Sequence, residues 1–145
     1  KTETVQSPYT KSGDSELLNN IYARLDTSYK NKDEEDECQL VAAYFVCDYY
    51  TFVDKKKNEI GGVDYMYSEM VENFSQYAQT SFYSYKNQYP ELEVLKYNII
   101  SYSPSKVTIA GLEDNDYYNI YAVNINKIQN FYIMRKGVLY ELYRI

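Results

Sequence analysis

Tyr44 and Asp48 are the two residues of this sequence whose types and spacing offer chemistry. They lie four positions apart in an apolar segment, so a helix would place both side chains on the same face. A carboxylate in such surroundings can have a raised pKa and act as a base, and neighbouring tyrosines could help it to hold a small apolar molecule. Both residues are therefore candidates for ligand binding. A single charge in a helix more often lies in water, however, and we predict that Asp48 faces solvent or a loop.

Histidine is absent from the 145 residues, and this excludes several reaction classes. Ser-His-Asp and Cys-His nucleophile systems, histidine metal sites and histidine general bases all require it. Cys38 and Cys47 lie nine positions apart, which in one helix means about 180° of rotation and about 13 Å of rise, too far for a disulfide. Their apolar and acidic surroundings raise a thiol pKa, so we predict free, buried and unreactive cysteines. The sequence therefore predicts no catalytic residue, no metal site and no cofactor.

Acidic runs and a glycine pair are the remaining motifs with a chemical interpretation. Asp33 to Glu37 and Glu113 to Asp116 could supply calcium ligands, but neither follows the spacing of an EF-hand loop. A helix start and a β-turn explain them better. Gly61-Gly62 lacks the lysine and hydroxyl residue of a phosphate loop, so we predict a turn there.

The charge of the chain bounds its partners. A net charge of -6, relieved only by the run Lys55 to Lys57, repels phosphate backbones, so we predict no nucleic-acid partner. No apolar stretch approaches the roughly 20 residues of a membrane span. The polar segment 1–13 is typical of a mobile tether, and an anchor or signal peptide ahead of Lys1 is left open, as is the oligomeric state.

Twenty tyrosines are the compositional oddity of the chain. They could line a groove for carbohydrate or peptide, because an aromatic face with a hydroxyl suits both ligands. Most of them fall on apolar stripes, for example Tyr77 and Tyr85 in a predicted helix and Tyr121 in a predicted strand. Core packing is therefore our interpretation of these residues.

Three helices are predicted in the first two thirds of the chain. Apolar residues at three- and four-residue steps from Leu18 to Tyr29 predict the first helix, capped by Asp14 or Ser15. A largely buried helix follows over Cys38 to Val53, with acidic residues before it and lysines after it, as the helix dipole favours. The third is predicted to open at Asp64 and to keep one apolar face through Tyr89, until Pro90 ends it.

Beyond Pro90 the composition changes to β-branched and aromatic residues separated by turns. The predicted strands are Val94 to Tyr102, Lys106 to Leu112, Tyr117 to Ile128, Phe131 to Arg135 and Val138 to Ile145. Helices followed by strands with short connections predict an α+β fold, in which N-terminal helices pack against a C-terminal curved, mainly antiparallel sheet of four or five strands. We expect a mobile tail over 1–13 and a single domain over 14–145.

The layout resembles the nuclear transport factor 2-like superfamily of cone-shaped α+β domains. The resemblance covers 33–145 and rests on the helix QLVAAYFVCDYYTFV, the Gly-Gly turn, the segment VDYMYSEM and the final hairpin FYIMRKGVLYELYRI. It implies a curved sheet around the helices, often with an internal pocket. Members include small-molecule isomerases and dehydratases, noncatalytic binding domains and extracytoplasmic scaffold domains of conjugation (type IV secretion) machines. No catalytic residue of the family is carried over to a position of this sequence.

Two functions are compatible with these observations. The first is a noncatalytic extracytoplasmic protein-interaction or scaffold domain, secreted or membrane-tethered, of bacterial origin, as the resemblance and the tether-like start imply. The alternative is a small-molecule-binding or enzymatic cone that uses a carboxylate such as Asp48 with tyrosines such as Tyr44 in an internal pocket. The absence of recognisable catalytic groups favours the first, with a protein as the partner.

Overall fold

The fold is that of a computed structural model, which describes residues 7–105, 120–125, 128–135 and 138–144. Side chains are described for residues 7–99 and 102, and the backbone alone for the others. The elements in chain order are α1 (Glu16–Lys30), α2 (Glu34–Tyr49), α3 (Val71–Thr80), β1 (Ile99–Ser105), β2 (Ile120–Ile125), β3 (Ile128–Arg135) and β4 (Val138–Arg144). Three short 3-10 turns accompany α3, at Val63–Tyr65, Ser68–Met70 and Phe82–Tyr85.

Helix α1 forms where the apolar spacing predicted it. The Ser15 side chain caps its start by accepting the backbone N–H of Leu18 at 3.2 Å. Leu18, Ile21 and Leu25 are buried along one face. The predicted cap and the predicted apolar face of this helix are confirmed.

Helix α2 is the central element of the described core. Asp33 caps it by accepting the N–H of Asp36 at 3.2 Å, and the acidic first turn complements the positive end of the helix dipole. Twelve of its 16 residues are buried, which confirms the prediction of a largely buried helix. The helix ends at Tyr49, earlier than predicted, so the run Lys55 to Lys57 lies in the following loop, from which the Lys55 ammonium reaches back to Asp48 in the last turn at 2.7 Å.

The predicted long helix from Asp64 to Tyr89 is wrong. The segment is divided into two 3-10 turns, the ten-residue helix α3 and a third 3-10 turn. Tyr77 and Tyr85 are exposed by 64% and 53%, so core packing was also the wrong interpretation for them. A tyrosine satisfies an apolar stripe in the sequence, yet its hydroxyl allows it to lie in water equally well.

Residues 7–14 lie against α2, and we call them the N-terminal strap. Tyr9 is only 7% exposed, and its ring stacks on Tyr65 at 5.6 Å between centroids. The Tyr65 hydroxyl donates to the carbonyl of Thr10 at 2.9 Å. The described part of the predicted tail therefore lies along the core and buries Tyr9 and Gly13, while Pro8, Thr10 and Lys11 stay exposed.

The loop from Thr51 to Gly62 returns the chain along α2. Gly61 passes so close to the helix that a Cβ there would stand 2.2 Å from the carbonyl oxygen of Asp48. Gly62 has a φ of +86°, in the left-handed region that glycine adopts without strain. The predicted Gly-Gly turn is confirmed, and close approach to α2 is the reason that both positions lack side chains.

Beyond residue 98, the described backbone contains four strands joined as antiparallel neighbours in sequence order. The predicted strand starting at Val94 starts at Ile99, and the predicted strand Tyr117 to Ile128 ends at Ile125. The predicted strand Lys106 to Leu112 lies outside the described residues, as do the turns at Glu113 to Asp116 and Lys136-Gly137, and the side chain of Tyr121.

The predicted fold class requires correction. The residues whose side chains are described are 54% helical, and they contain no sheet or barrel, so they do not show helices packed on a curved C-terminal sheet. The described core lies among α1, α2, the N-terminal strap and the loops around α3, and Ile99 and Tyr102 of β1 pack against it. Aromatic rings fill much of it, and Tyr44 stacks on Tyr65 at 4.4 Å. Through such stacking, tyrosine rings fill the space between α2 and the turn that contains Tyr65.

Candidate functional site

Asp48 lies at the centre of a buried polar network. Its predicted exposure to solvent is wrong, whereas the predicted alternative, that it faces a loop, is confirmed by its contacts with Lys55 and Gly62. Its residue surface is 1% exposed. One carboxylate oxygen, Oδ1, accepts from the Lys55 ammonium at 2.7 Å. The other, Oδ2, accepts from the backbone N–H of Gly62 at 2.8 Å and from the Ser12 hydroxyl at 3.0 Å. Asp48 thereby ties α2 to the loop that follows it and to the N-terminal strap.

Lys55 is the counterion of this network. Its side chain is fully buried, and its ammonium also donates to Asp54 Oδ1 at 2.7 Å. Burial alone would lower the pKa of Lys55, but the attraction of Asp48 and the hydrogen bonds to both carboxylates raise it above its ordinary value. Lys55 is therefore a charged ammonium at neutral pH and cannot act as an amine nucleophile.

Asp54 closes the network towards the surface. Its second oxygen, Oδ2, accepts the backbone N–H of Asp14 at 2.8 Å. Partial burial acts to raise the pKa of Asp54, but the hydrogen bonds from Lys55 and from Asp14 outweigh it and lower the pKa. The two carboxylates and one ammonium thus form a paired group that joins the strap, α2 and the loop.

Tyr44, the second candidate, is fully buried, and both its hydroxyl and its ring already contact other residues. Its hydroxyl accepts the N–H of Gly13 at 2.8 Å, and its ring stacks on Tyr65. Burial raises the pKa of Tyr44, so the hydroxyl stays protonated. The structure brings Tyr44 and Asp48 to the same strap, as their helical spacing requires, but both serve to hold that strap in place.

A cleft of about 290 Å³ opens beside Asp48. It is lined by Ser12, Asp48, Asn58, Glu59, Ile60, Gly62, Val63, Asp64 and Ser75. The carboxylate of Asp48 forms part of the wall, yet both of its oxygens are engaged by Lys55, Gly62 and Ser12. A ligand entering this cleft would meet a polar surface on which Asp48 is not available as a base.

Glu37 is a buried acid that the sequence did not single out. It is 4% exposed, and the Tyr9 hydroxyl donates a hydrogen bond to it. Burial, supported by the charge of Glu34, raises the pKa of Glu37 against the effect of that hydrogen bond. The only signal in the sequence was its place at the junction of the acidic run and the apolar part of α2. Glu37 lies just before the predicted start of the helix at Cys38 and about one turn inside its observed start at Glu34.

Both cysteines are buried and free, as predicted. Burial and the nearby carboxylate of Asp48 raise the pKa of Cys47 to about 12. Burial and the charges of Glu37 and Glu34 raise the pKa of Cys38 further. Neither thiol is available as a nucleophile, because the reactive form is the thiolate.

A group of large apolar side chains lies exposed after α2, on α3 and in the segment that follows α3, and we call it the apolar rim. Its members are Val53, Tyr77, Tyr85, Tyr89, Leu92 and Leu95. Leu95 is the most exposed, at 78%. The sequence missed this surface because the same residues fitted the apolar stripe of a predicted helix and strand.

Among the residues that the structure describes, no three histidine, cysteine, aspartate or glutamate side chains are grouped closely enough to hold a metal ion. In the same part of the chain, each helix is too short or too polar to cross a membrane. No protein family, curated protein or solved structure matches this sequence. Function is therefore argued from the chemistry of the described surface and core.

Proposed function

We propose that this protein is a noncatalytic protein-interaction domain that binds a partner through the apolar rim. The observation that carries the proposal is the exposure of these large side chains, which in Tyr77 and Leu95 reaches 64% and 78%. Contiguous apolar surface is uncommon on monomeric proteins and is typical of interaction sites. Tyrosine in particular is enriched at the centre of protein interfaces.

Backbone hydrogen bonds support the view that the rim is one surface. The N–H of Tyr89 donates to the carbonyl of Tyr85 at 3.1 Å, and the N–H of Leu92 donates to that of Tyr89 at 3.1 Å. The carbonyl of Leu92 in turn accepts the N–H of Val53 at 3.1 Å. These contacts hold four of the six members on adjoining turns, so a partner could cover them together.

The polar network supports a noncatalytic role. An acid that serves as a base needs an oxygen free to take a proton from the substrate. Both oxygens of Asp48 are engaged, and Lys55 is held charged between Asp48 and Asp54. The small-molecule or enzymatic alternative that used Asp48 and Tyr44 therefore has no observation in its favour.

An extracytoplasmic, scaffold-like setting belongs to the same proposal. The sequence feature behind it is the resemblance to tethered scaffold domains. Burial of both thiols makes the fold compatible with an oxidising compartment, since neither cysteine is accessible for disulfide exchange. Fractionation of host cells that express the natural gene would test it, and a protein found only in the cytosol would overturn this part.

Site-specific photo-cross-linking in the host tests the interaction itself. A photoreactive amino acid in place of Tyr89 should give a discrete higher-mass adduct, which mass spectrometry can identify. The same amino acid in place of Asn20, an exposed residue of α1, is the matched control and should give none. If the two positions give the same pattern of adducts, the rim does not bind a partner and the proposal fails.

A further inference from the structure

We infer that the apolar rim continues into a lysine-lined cleft, and that the two together form a docking groove for an acidic, amphipathic peptide segment of the partner. This inference rests on the proposed function and names the chemistry of its partner. The chain carries a net charge of -6, so a local group of lysines beside an apolar surface is a distinct feature. The occupant is assigned from charge complementarity along the groove.

The cleft has a volume of about 430 Å³ and lies between the loop after α2 and the turn after α3. It is lined by Lys55, Lys57, Asn58, Gln79, Tyr83, Lys86 and Asn87. Lys57 is exposed and Lys86 is half-buried. The ammonium of Lys55 is held by Asp48 and Asp54, so Lys57 and Lys86 supply the positive charge that a ligand would meet.

Lys86 is held in position before any ligand arrives. Its ammonium donates a hydrogen bond to the backbone carbonyl of Lys56, on the opposite side of the cleft. Gln79 crosses in the same way, since its side-chain amide donates to the carbonyl of Asn58 at 3.2 Å. A cleft whose walls are already joined loses less conformational entropy on binding, which favours affinity.

The cleft and the apolar rim lie next to each other along the chain. Tyr85 and Tyr89 of the rim flank Lys86 and Asn87 of the cleft within one hydrogen-bonded turn. One short loop carries both Val53 of the rim and two lysines of the cleft, Lys55 and Lys57. From this adjacency we infer that a single extended ligand contacts both surfaces.

The polar groups of the cleft favour a carboxylate-bearing peptide over a phosphate. Lysine provides point charges, whereas phosphate recognition often relies on the bidentate fork of arginine, which is not among the lining residues. The amides of Asn58, Gln79 and Asn87 both donate and accept, which matches the alternating donors and acceptors of a peptide backbone. A phosphate would leave their acceptor atoms unused.

Charge also sets the direction of the peptide. Glu91 and Glu93 are exposed on either side of Leu92 in the sequence and would repel carboxylates at this part of the rim. The acidic residues of the ligand should lie over Lys57 and Lys86, and its apolar residues over Tyr89 and Leu92. We therefore expect a segment that is acidic at one end and apolar at the other.

Selection from a displayed library of random peptides tests the inference. Peptides of about 12 residues span roughly 40 Å when extended, enough to cover both surfaces. Selection on the wild-type protein should enrich peptides with acidic residues at one end and aromatic or aliphatic residues at the other. In fluorescence anisotropy, Lys57→Gln and Lys86→Gln should each weaken binding about threefold, and the double variant about tenfold. Lys30→Gln removes the same charge at the end of α1 and should leave affinity unchanged.

The alternative outcomes separate failure of the inferred ligand class from failure of the proposed function. If the enriched peptides lack acidic residues, or bind the double lysine variant as tightly as wild type, the inference fails. The proposed function would still stand in that case, provided that Tyr89→Ser weakens binding. Failure to enrich any peptide that depends on the groove also refutes the inference. Displacement by inorganic phosphate, with binding insensitive to Tyr89→Ser, would indicate a simple anion site instead.

A second copy of this chain is the remaining occupant to exclude. Its acidic run Asp33 to Glu37 could meet the lysines of a neighbour. We expect the wild type to show no self-association dependent on Lys86 in sedimentation at rising protein concentration, so Lys86→Gln should sediment as the wild type does. If such association occurs, the groove is a self-association surface, and the assignment to a different partner is wrong.

Discussion

Replacing Asp48 by Asn should destabilise the protein by about 3 kcal/mol. The change leaves the buried ammonium of Lys55 with Asp54 alone, and breaking one partner of a buried pair costs about 3–5 kcal/mol. Because Asp54 remains at 2.7 Å, we expect the lower end of that range. An amide oxygen must also serve the Gly62 N–H and the Ser12 hydroxyl while the amide NH₂ faces a lysine, so relief by local rearrangement is small.

Urea unfolding followed by circular dichroism measures this loss, with the slope of the transition expected to stay unchanged. In a thermal melt, about 3 kcal/mol corresponds to a shift of roughly 6–12 °C for a chain of this size. Asp26→Asn is the matched control, because it breaks the exposed pair of Asp26 and Lys30 on α1. That control should cost no more than about 0.5 kcal/mol.

The pH dependence follows from the signs of the pKa shifts. The pKa of Lys55 is raised on folding above its ordinary 10.5, so its contribution is present below that pH and is lost as the pH rises through the folded value. The pKa of Asp54 is lowered from 3.8, so its contribution is present above that pH and is lost as the pH falls through the folded value. The difference between wild type and Asp48→Asn should therefore be constant between about pH 5 and 9. A loss no larger than that of the control would refute the description of Asp48 as the centre of a buried ion pair.

The remaining predictions concern the core. Glu37→Gln should be at least as stable as wild type at pH 7, and the difference in stability should shrink towards pH 4. Burial raises the pKa of Glu37 in the folded protein, so the free energy of unfolding of the wild type falls as the pH rises above the ordinary pKa of 4.5. Gly62→Ala should cost about 2 kcal/mol in urea unfolding, since φ is +86° and the new Cβ would lie 2.7 Å from the ring of Phe45. Cys38 and Cys47 should not react with a thiol reagent in the native protein, and both should react at once when it unfolds.

Matched comparisons make these three outcomes decisive. Asn58 also has a positive φ, so Asn58→Gly should be tolerated where Gly62→Ala is not. Equal losses for the two variants would contradict the conformational argument. A Glu37→Gln variant less stable than wild type at pH 7 would show that the hydrogen bond from Tyr9 outweighs burial. Fast reaction of either thiol in the folded protein would contradict its burial.

Local patterns in the sequence were sufficient for α1 and for the central part of α2. In both, apolar spacing and a capping side chain agree, and tertiary contacts add to what the local pattern already favours. The free, buried cysteines and the Gly-Gly turn were also predictable, because their chemistry is local. These are the features in which short-range and long-range preferences point the same way.

The region around α3 was not predictable on the same basis. Tyr77, Tyr85 and Tyr89 count as apolar in any periodicity, although a phenol can lie in water at little cost. The apolar stripe therefore predicted a long buried helix where the structure has a ten-residue helix and exposed rings. Because a tyrosine ring is apolar and its hydroxyl is compatible with water, the same exposed rings are suited to binding a partner.

The N-terminal strap shows a different limit. A run of small polar residues with one tyrosine is typical of a flexible tail, and its composition alone cannot reveal partners elsewhere in the chain. Its order comes from contacts with α2 and its following loop, such as Gly13 with Tyr44 and Ser12 with Asp48. Each contact spans more than 30 positions, so local reasoning could not supply it.

Asp48 shows how a long-range contact decides whether a residue is structural or functional. The sequence identified the right residue, since a lone carboxylate inside an apolar helix needs an explanation, and it offered solvent, a loop or catalysis. The structure shows the contact with a loop, and that contact depends on Lys55, which lies beyond the end of α2 and returns to Asp48 through a turn of the loop. Once that pair exists, both oxygens of Asp48 accept hydrogen bonds and the charge of Lys55 is paired, so Asp48 stabilises the fold rather than serving as a reactive group. The groups that can contact a partner then lie on the surface. They are the exposed lysines of the same loop, such as Lys57, and the apolar rim beside them.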